Sequence, residues 1–332
     1  MKALFTALSL LATLAPSSLV LAQTENKELR LGLIGLDTSH VTAFTSRLNE
    51  KDNPNHVPGG KVVAAIKGGS PDIESSITRV DGYTQTLVEK YGVVLYEDIA
   101  ELCENVDAVL VTSVDGRPHL AQARAVIAAG KPLFIDKPVA GSLKDAVEIF
   151  RLAKEDKVPC FSSSSLRWYP GVVEVATAEV GELRSAISYG PAPKEPRHPS
   201  LFWYGIHPTE SLFTVLGPGC QSVVATESES TMVVTGSWAN GRVGTLHGIK
   251  EGKTAYQVTA FGSNAIVEQK SGGDYTPMLR EIIAFFNSGK PPVTPELTLE
   301  IYAFMEAADE SIRQGGKPVS IAELLKQNGW ER

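Results

Sequence analysis

The chain has 332 residues, room for two domains, and 43% of them are hydrophobic against 21% charged. That is the balance of a globular protein able to bury a sizeable core. Lys plus Arg number 31 and Asp plus Glu 38, a net charge of −7 that argues against a nucleic-acid surface, where positive charge must cluster. The three cysteines, Cys103, Cys160 and Cys220, match no metal-ligand spacing and are expected as buried free thiols.

In chain order, Lys2 precedes an apolar run to Ala15, Pro16-Ser17-Ser18 breaks it, and Val20-Leu21-Ala22 supplies small residues suited to cleavage. This is the build of a secretory signal peptide over residues 1–22, with a short linker over 23–28. The apolar run falls short of the roughly 20 residues that span a bilayer. The expectation is an exported protein, periplasmic or extracellular, with no membrane attachment after signal removal. No Arg-Arg pair precedes the run, so general secretion is expected rather than the twin-arginine route.

From Leu29 short apolar strands alternate with helical patterns. Strands are expected at 29–34, 62–66, 107–114, 133–135 and 158–162, and helices at 38–48, 83–91, 97–104, 118–129 and 143–154. Uniformly apolar strands between amphipathic helices predict a doubly wound α/β domain, 29–166, with a parallel sheet and a ligand crevice at the strands' carboxyl ends. After Leu166 the rhythm changes. Strands at 183–189, 223–226, 232–238, 242–249, 254–261 and 265–269 partly alternate apolar and polar residues, with one helix at 208–216 and two or three more from about Met278. Residues 167–332 therefore read as an α+β domain with a large open, mainly antiparallel sheet.

Five motifs, in order and at fitting distances, resemble the Gfo/Idh/MocA family of nicotinamide-dependent oxidoreductases. They are Leu31-Gly32-Leu33-Ile34-Gly35; Val111-Thr112-Ser113 with Pro118-His119; Ala128-Ala129-Gly130-Lys131-Pro132 followed by Asp136-Lys137-Pro138; Arg167-Trp168-Tyr169-Pro170; and Gly205-Ile206-His207 with Glu210. The resemblance covers nearly all of the chain after the leader. It implies a Rossmann-like domain for NAD or NADP, a second domain for substrate, and oligomer formation through the second sheet.

The dinucleotide loop departs from the family pattern. A Gly-x-Gly-x-x-Gly turn provides a tight bend, close pyrophosphate approach and helix–strand packing, but Gly35-Leu36-Asp37-Thr38-Ser39-His40 keeps only the first glycine. A carboxylate about 4 Å from a phosphate charge costs ~4 kcal/mol at an effective dielectric near 20. Asp37 is instead placed as the N-cap of the helix opening at Thr38. His40 either separates helix from strand or points into the crevice. The acid that would hold the ribose is replaced by Lys67, which pairs with an NADP 2′-phosphate or is a solvated lysine. Among the candidate cofactor contacts, Gly35, Asp37, Thr38, Ser39, His40, Lys67, Thr112, Ser113, His119, Asp136 and Lys137 all fall on this crevice.

The resemblance implies that Lys137 polarises or protonates a substrate oxygen while His207 exchanges its proton. Acid–base work of this kind needs a pKa near the working pH, which His has and a desolvated Lys can reach. Trp203 stands where the family often has an aspartate to orient the histidine. Glu210 either reaches His207 or, as favoured here, belongs to the start of the helix beside Pro208. Arg167, Trp203, Tyr204 and His207 are the expected substrate contacts, the two aromatics stacking on a sugar or packing as core.

Three functions stay open. The first is an exported NAD(P)-linked oxidoreductase acting on a secondary hydroxyl of a sugar or polyol. The second is a cofactor-free relative that binds a carbohydrate in the same crevice. The third is hydrolysis or elimination by Asp37, His40, Asp115, His119 and His207, with no spacing diagnostic of a metal.

Overall fold

The computed structural model describes residues 28–330, so the expected signal peptide and nearly all of the linker lie outside the described residues. The first sheet is built from β1 (Leu29–Ile34), β2 (Gly60–Ile66), β3 (Val94–Leu95), β4 (Ala108–Val111), β5 (Leu133–Ile135) and β6 (Cys160–Ser162). Its order is β3-β2-β1-β4-β5-β6, and every pairing is parallel. The crossovers are carried by α1 (Ser39–Asn49), α2 (Glu74–Ile77), α3 (Val80–Tyr91), α4 (Ile99–Glu104), α5 (His119–Ala128) and α6 (Leu143–Glu155). Helices on both faces explain why the central strands carry no polar alternation: all four residues of β4 and all three of β5 are buried. The chain reverses direction across the sheet between β1 and β4, the switch point where such sheets leave a crevice.

Two local expectations change here. The helix after β1 begins at Ser39, and its cap is Thr38, whose extended backbone lets Oγ1 accept from the His40 amide. Asp37 is not the cap, because its carboxylate is engaged elsewhere. The strand expected over 107–114 ends at Val111, since Thr112 Oγ1 turns to donate to the Gly35 carbonyl at 2.7 Å and the following residues leave the sheet.

The second half starts with a 3-10 turn at Ser165–Trp168 and α7 (Pro170–Thr177). Then come β7 (Leu183–Pro191), α8 (Ile206–Leu216), β8 (Cys220–Glu227), β9 (Thr231–Trp238), β10 (Val243–Ile249), β11 (Gln257–Gly262) and β12 (Ile266–Glu268). The chain closes with α9 (Thr276–Ser288), α10 (Pro295–Arg313), β13 (Val319–Ser320) and α11 (Ile321–Gln327). The sheet order is β12-β11-β7-β10-β9-β8-β13, antiparallel except for the parallel pair β7 and β10.

Register sorts the two faces of this sheet. Val223, Gly236, Gly244, Ala186 and Ala260 align as one inward row of small residues. A Cβ on Gly236 would lie 2.6 Å from the Trp238 ring and 2.8 Å from Phe304, so glycine there is what lets α10 seat against the sheet. The neighbouring row, Val224, Thr235, Thr245, Ile187 and Thr259, belongs to the opposite face, and Val224 and Ile187 on it are exposed. Not all of the second half stays with its own sheet: α9 returns to the first domain and buries Met278, Leu279 and Ile282 in one cluster with Leu31, Val62 and Phe161. The three cysteines are buried and unpaired.

Candidate functional site

The crevice forms where the carboxyl ends of the first sheet meet α8. Lys137 follows β5, and its ammonium lies over the Tyr204 ring, whose centroid is 5.1 Å from Nζ. Among the described residues no acceptor is hydrogen-bonded to that ammonium. The loop is held from behind: Asp136 Oδ1 accepts the Lys137 amide at 2.8 Å, and Tyr302 Oη from α10 accepts the Val139 amide at 2.6 Å. Burial lowers the Lys137 pKa, with the Asp136 charge opposing.

His207 enters from the first turn of α8. Its Nδ1 is 2.7 Å from Ser164 Oγ, which leaves Nε2 as the ring nitrogen free to meet a ligand. Burial, then the Lys137 charge, hold its pKa well below the ordinary histidine value, so the imidazole is neutral at pH 7. Opposite it, His40 binds Asp136 through Nδ1 and packs on Tyr275 at 4.8 Å between ring centroids. Burial pushes the Tyr275 phenol up to about 12, so it too is uncharged. Lys137, His207, His40, Tyr204 and Tyr275 line one cavity of about 170 Å³ together with Thr38, Ser39, Arg79, Tyr169 and Tyr256.

Several expected site residues lie elsewhere. Arg167 does not line the cavity; its Nε donates to Glu210 Oε2 at 2.6 Å in a buried ion pair. Glu210 therefore neither starts the helix nor reaches His207: it is the fifth residue of α8, and Oε1 accepts the Ser164 amide at 3.3 Å. Trp203 packs with Ile73 and Val114 as core, whereas its neighbour Tyr204 faces the cavity. Lys67 is exposed and pairs with Asp81 at 2.7 Å. His119 is fully buried and contacts the Ser113 carbonyl through Nε2 at 3.0 Å, a structural tie within the loop after β4. Ser113 Oγ exchanges hydrogen bonds with Gln122. Gly35 is needed for space, since a Cβ there would lie 2.1 Å from Ser113 Oγ.

Arg79, Tyr256 and Tyr275 escape the sequence reading. They stand at element ends with no motif around them, and only the return of α9 and the crossing of the domains brings them to Lys137. Of the acid and histidine side chains considered for hydrolysis, Asp37, Asp115 and His119 are taken into separate contacts, whereas His40 and His207 line the cavity. Among the described residues, no three His, Cys, Asp or Glu side chains are placed to hold a metal ion.

The path a dinucleotide takes across the strand ends is occupied by the chain itself. The Asp37 carboxylate is fully buried, accepting from Ser76 Oγ at 2.6 Å and from the Val114 amide at 2.8 Å. Ser70 Oγ donates to Asp115 at 2.6 Å, and Ile73 is buried against Val114 and Trp203. Outside this, Asp72 pairs with Arg117 and Arg197, both at 2.7 Å, joining the loop after β2 to the second domain. The two arginines hold the Asp72 carboxyl down at about 2. Residues 70–77 thus run over the strand ends from β2 to β4 and bury the loop from Gly35 to Thr38. A dinucleotide pyrophosphate does not fit beside these residues as they stand: it would displace them and face the Asp37 charge.

A parallel β3-β2-β1-β4-β5-β6 sheet is thus joined to an open mixed sheet, with a lysine and a histidine on one cavity at the junction. Residues 29–164 match the Gfo/Idh/MocA oxidoreductase family, NAD-binding Rossmann fold. Through this domain, less than half of its length, the chain is similar to that family. An inositol 2-dehydrogenase/D-chiro-inositol 3-dehydrogenase of Halalkalibacterium halodurans is 33% identical over 125 residues, which are 37% of this chain and 31% of the relative, so less than a third of that relative's length is matched. The crystal structure of myo-inositol 2-dehydrogenase from Lactobacillus plantarum superposes with a TM-score of 0.73 at 17% identity, over 89% of this chain and 99% of that one. An oxidoreductase from Agrobacterium radiobacter, in complex with NAD+, L-tartaric acid and magnesium, gives 0.70 at 17% identity, over 90% and 100%. At such identities these two structures establish the shared fold.

Proposed function

We propose that this protein acts on a small polyol or sugar, moving a proton on or off one of its hydroxyl groups within the oxidoreductase-family crevice. The observation that carries this is the joint burial of Lys137 and His207 on one cavity of about 170 Å³. Neutral His207 accepts the hydroxyl proton at Nε2, and Lys137 hydrogen-bonds the same oxygen as its charge grows. The faces of Tyr204, Tyr256 and Tyr275 seat the apolar side of a ring and keep water from the reacting oxygen. The inositol dehydrogenases among its relatives support a cyclic polyol as the substrate class.

The family match favours a second reading, oxidation of the same hydroxyl with hydride passing to a nicotinamide. NAD or NADP would supply the hydride acceptor, and its entry requires residues 70–77 to leave the strand ends. We also propose that the chain is exported, on its leader, and that it forms a homo-oligomer through the outer face bearing Ile187 and Val224.

The test uses purified protein and a panel of inositols, hexoses and alditols, followed by calorimetry and by product analysis with and without NAD+ or NADP+. Lys137→Ala and His207→Ala should each lower turnover by about 10²–10⁴-fold. Absence of both binding and turnover across the panel rejects the polyol site. Turnover that depends on nicotinamide selects the second reading.

A further inference from the structure

The end of α1 that a dinucleotide domain keeps for pyrophosphate has a different neighbour here. With the path from β2 to β4 covered, the N-terminal end of this eleven-residue helix reaches the small cavity through its cap Thr38 and first residue Ser39. Two cations share that cavity. Arg79, at the start of α3, lines it, and no carboxylate among the described residues pairs with its guanidinium. Lys137 is only 7% exposed and lines it too, with an aromatic face beside Nζ and, among the described residues, no acceptor hydrogen-bonded to it. None of the described residues that line the cavity is acidic, since Asp136 lies behind His40. A buried ammonium without an acceptor is costly to keep in a resting protein and rewarding to a ligand that supplies one.

Resting on the polyol site proposed above, we infer that the ligand carries a carboxylate: a sugar acid such as a uronate or aldonate. Its acid group lies between the α1 terminus, Arg79 and one N–H of Lys137, while a second N–H of the same ammonium reaches the hydroxyl that faces His207. A carboxylate fits better than a phosphate ester because the cavity, at about 170 Å³, has room for one sugar ring and a planar group. The helix end and the two cations then act together on one negative charge, each contributing most where water is excluded.

Calorimetry on the full chain with matched pairs tests this: glucuronate against glucose, galacturonate against galactose, and gluconate against sorbitol. Each acid is expected to bind at least about tenfold tighter than its neutral partner. Arg79→Gln should bring the acid down towards the affinity of the neutral sugar. Arg79 is exposed, so a melting curve matching the parent's shows that the fold is retained. Equal affinity within the pairs, or an acid affinity indifferent to Arg79→Gln, overturns the inference and leaves the polyol site standing. Preference for glucose 6-phosphate over glucuronate also overturns it, assigning the anion to a phosphate. Binding by neither member of any pair defeats both the inference and the polyol site.

Discussion

The Asp37 carboxylate accepts a hydrogen bond from Ser76 Oγ at 2.6 Å, tying the loop after β1 to the short helix after β2. The same carboxylate holds the Val114 amide at 2.8 Å, so three loops at the carboxyl edge converge on one buried side chain. A residue at the place of the second glycine has become a clamp.

Asp37→Ala should therefore destabilise the protein by about 1–3 kcal/mol, because it leaves the Val114 amide and the Ser76 hydroxyl buried without their acceptor. Urea unfolding of the two proteins measures the difference. A change within a few tenths of a kcal/mol would mean that water replaces the carboxylate and that the three loops are not held through it.

With the clamp closed, NADH titrated into the protein should give no saturable change in its fluorescence below millimolar concentration. Submicromolar to micromolar binding would show that residues 70–77 open readily, in favour of nicotinamide-linked oxidation. Hydrogen exchange at the amides of residues 70–77, with and without NADH, reports that opening directly.

His207 makes stability depend on pH. Its folded pKa is depressed well below 6.5 by burial and by the Lys137 charge, while the unfolded chain keeps the ordinary value. The unfolded state then binds a proton that the folded state refuses. The contribution is fully present above pH 6.5 and is lost as pH falls below it, at up to about 1.4 kcal/mol per pH unit. His207→Gln should flatten the unfolding free energy between pH 6.5 and 5. An unchanged slope would show that imidazole takes up its proton in the native crevice.

The buried Arg167–Glu210 pair predicts a pattern across three variants. Glu210→Leu alone should cost about 3–5 kcal/mol by stranding the guanidinium, and Arg167→Met alone a similar amount by stranding the carboxylate. The double variant should recover most of that loss, since an apolar pair of similar volume needs no desolvation of charge. Thermal denaturation of the set checks this. Additive losses would place another cation or anion within reach of the pair.

Much of the architecture was legible from periodicity. The strand at 29–34 and the helix at 143–154 carry their own signals, an apolar run in one and an apolar stripe in the other. Lys137 and His207 were legible only through the family resemblance, since neither has a local pattern that separates it from a solvated lysine or a helix-start histidine. The structure puts both on the cavity. Asp37, Glu210 and Arg167 were misplaced for one reason: a sequence shows which backbone amides lie nearby along the chain, and each of these charges found its partner at a distance. Ser76 is 39 residues from Asp37, and Glu210 is 43 from Arg167.

The sequence by itself determined the doubly wound domain, the sheet-rich domain after it and the resemblance to the oxidoreductase family, because hydrophobic period and motif order act locally and survive any change of side-chain partner. Only the tertiary structure decided what the crevice can hold. Whether Asp37 repels a phosphate, caps a helix or clamps a loop depends on which donors reach it, and these come from α2 and from the loop after β4. Arg79 and Tyr275 likewise meet at Lys137 only because distant helix ends converge on one cavity. Burial then gives Lys137 and His207 their chemistry, since removal of water is the largest cause of the pKa lowering in both.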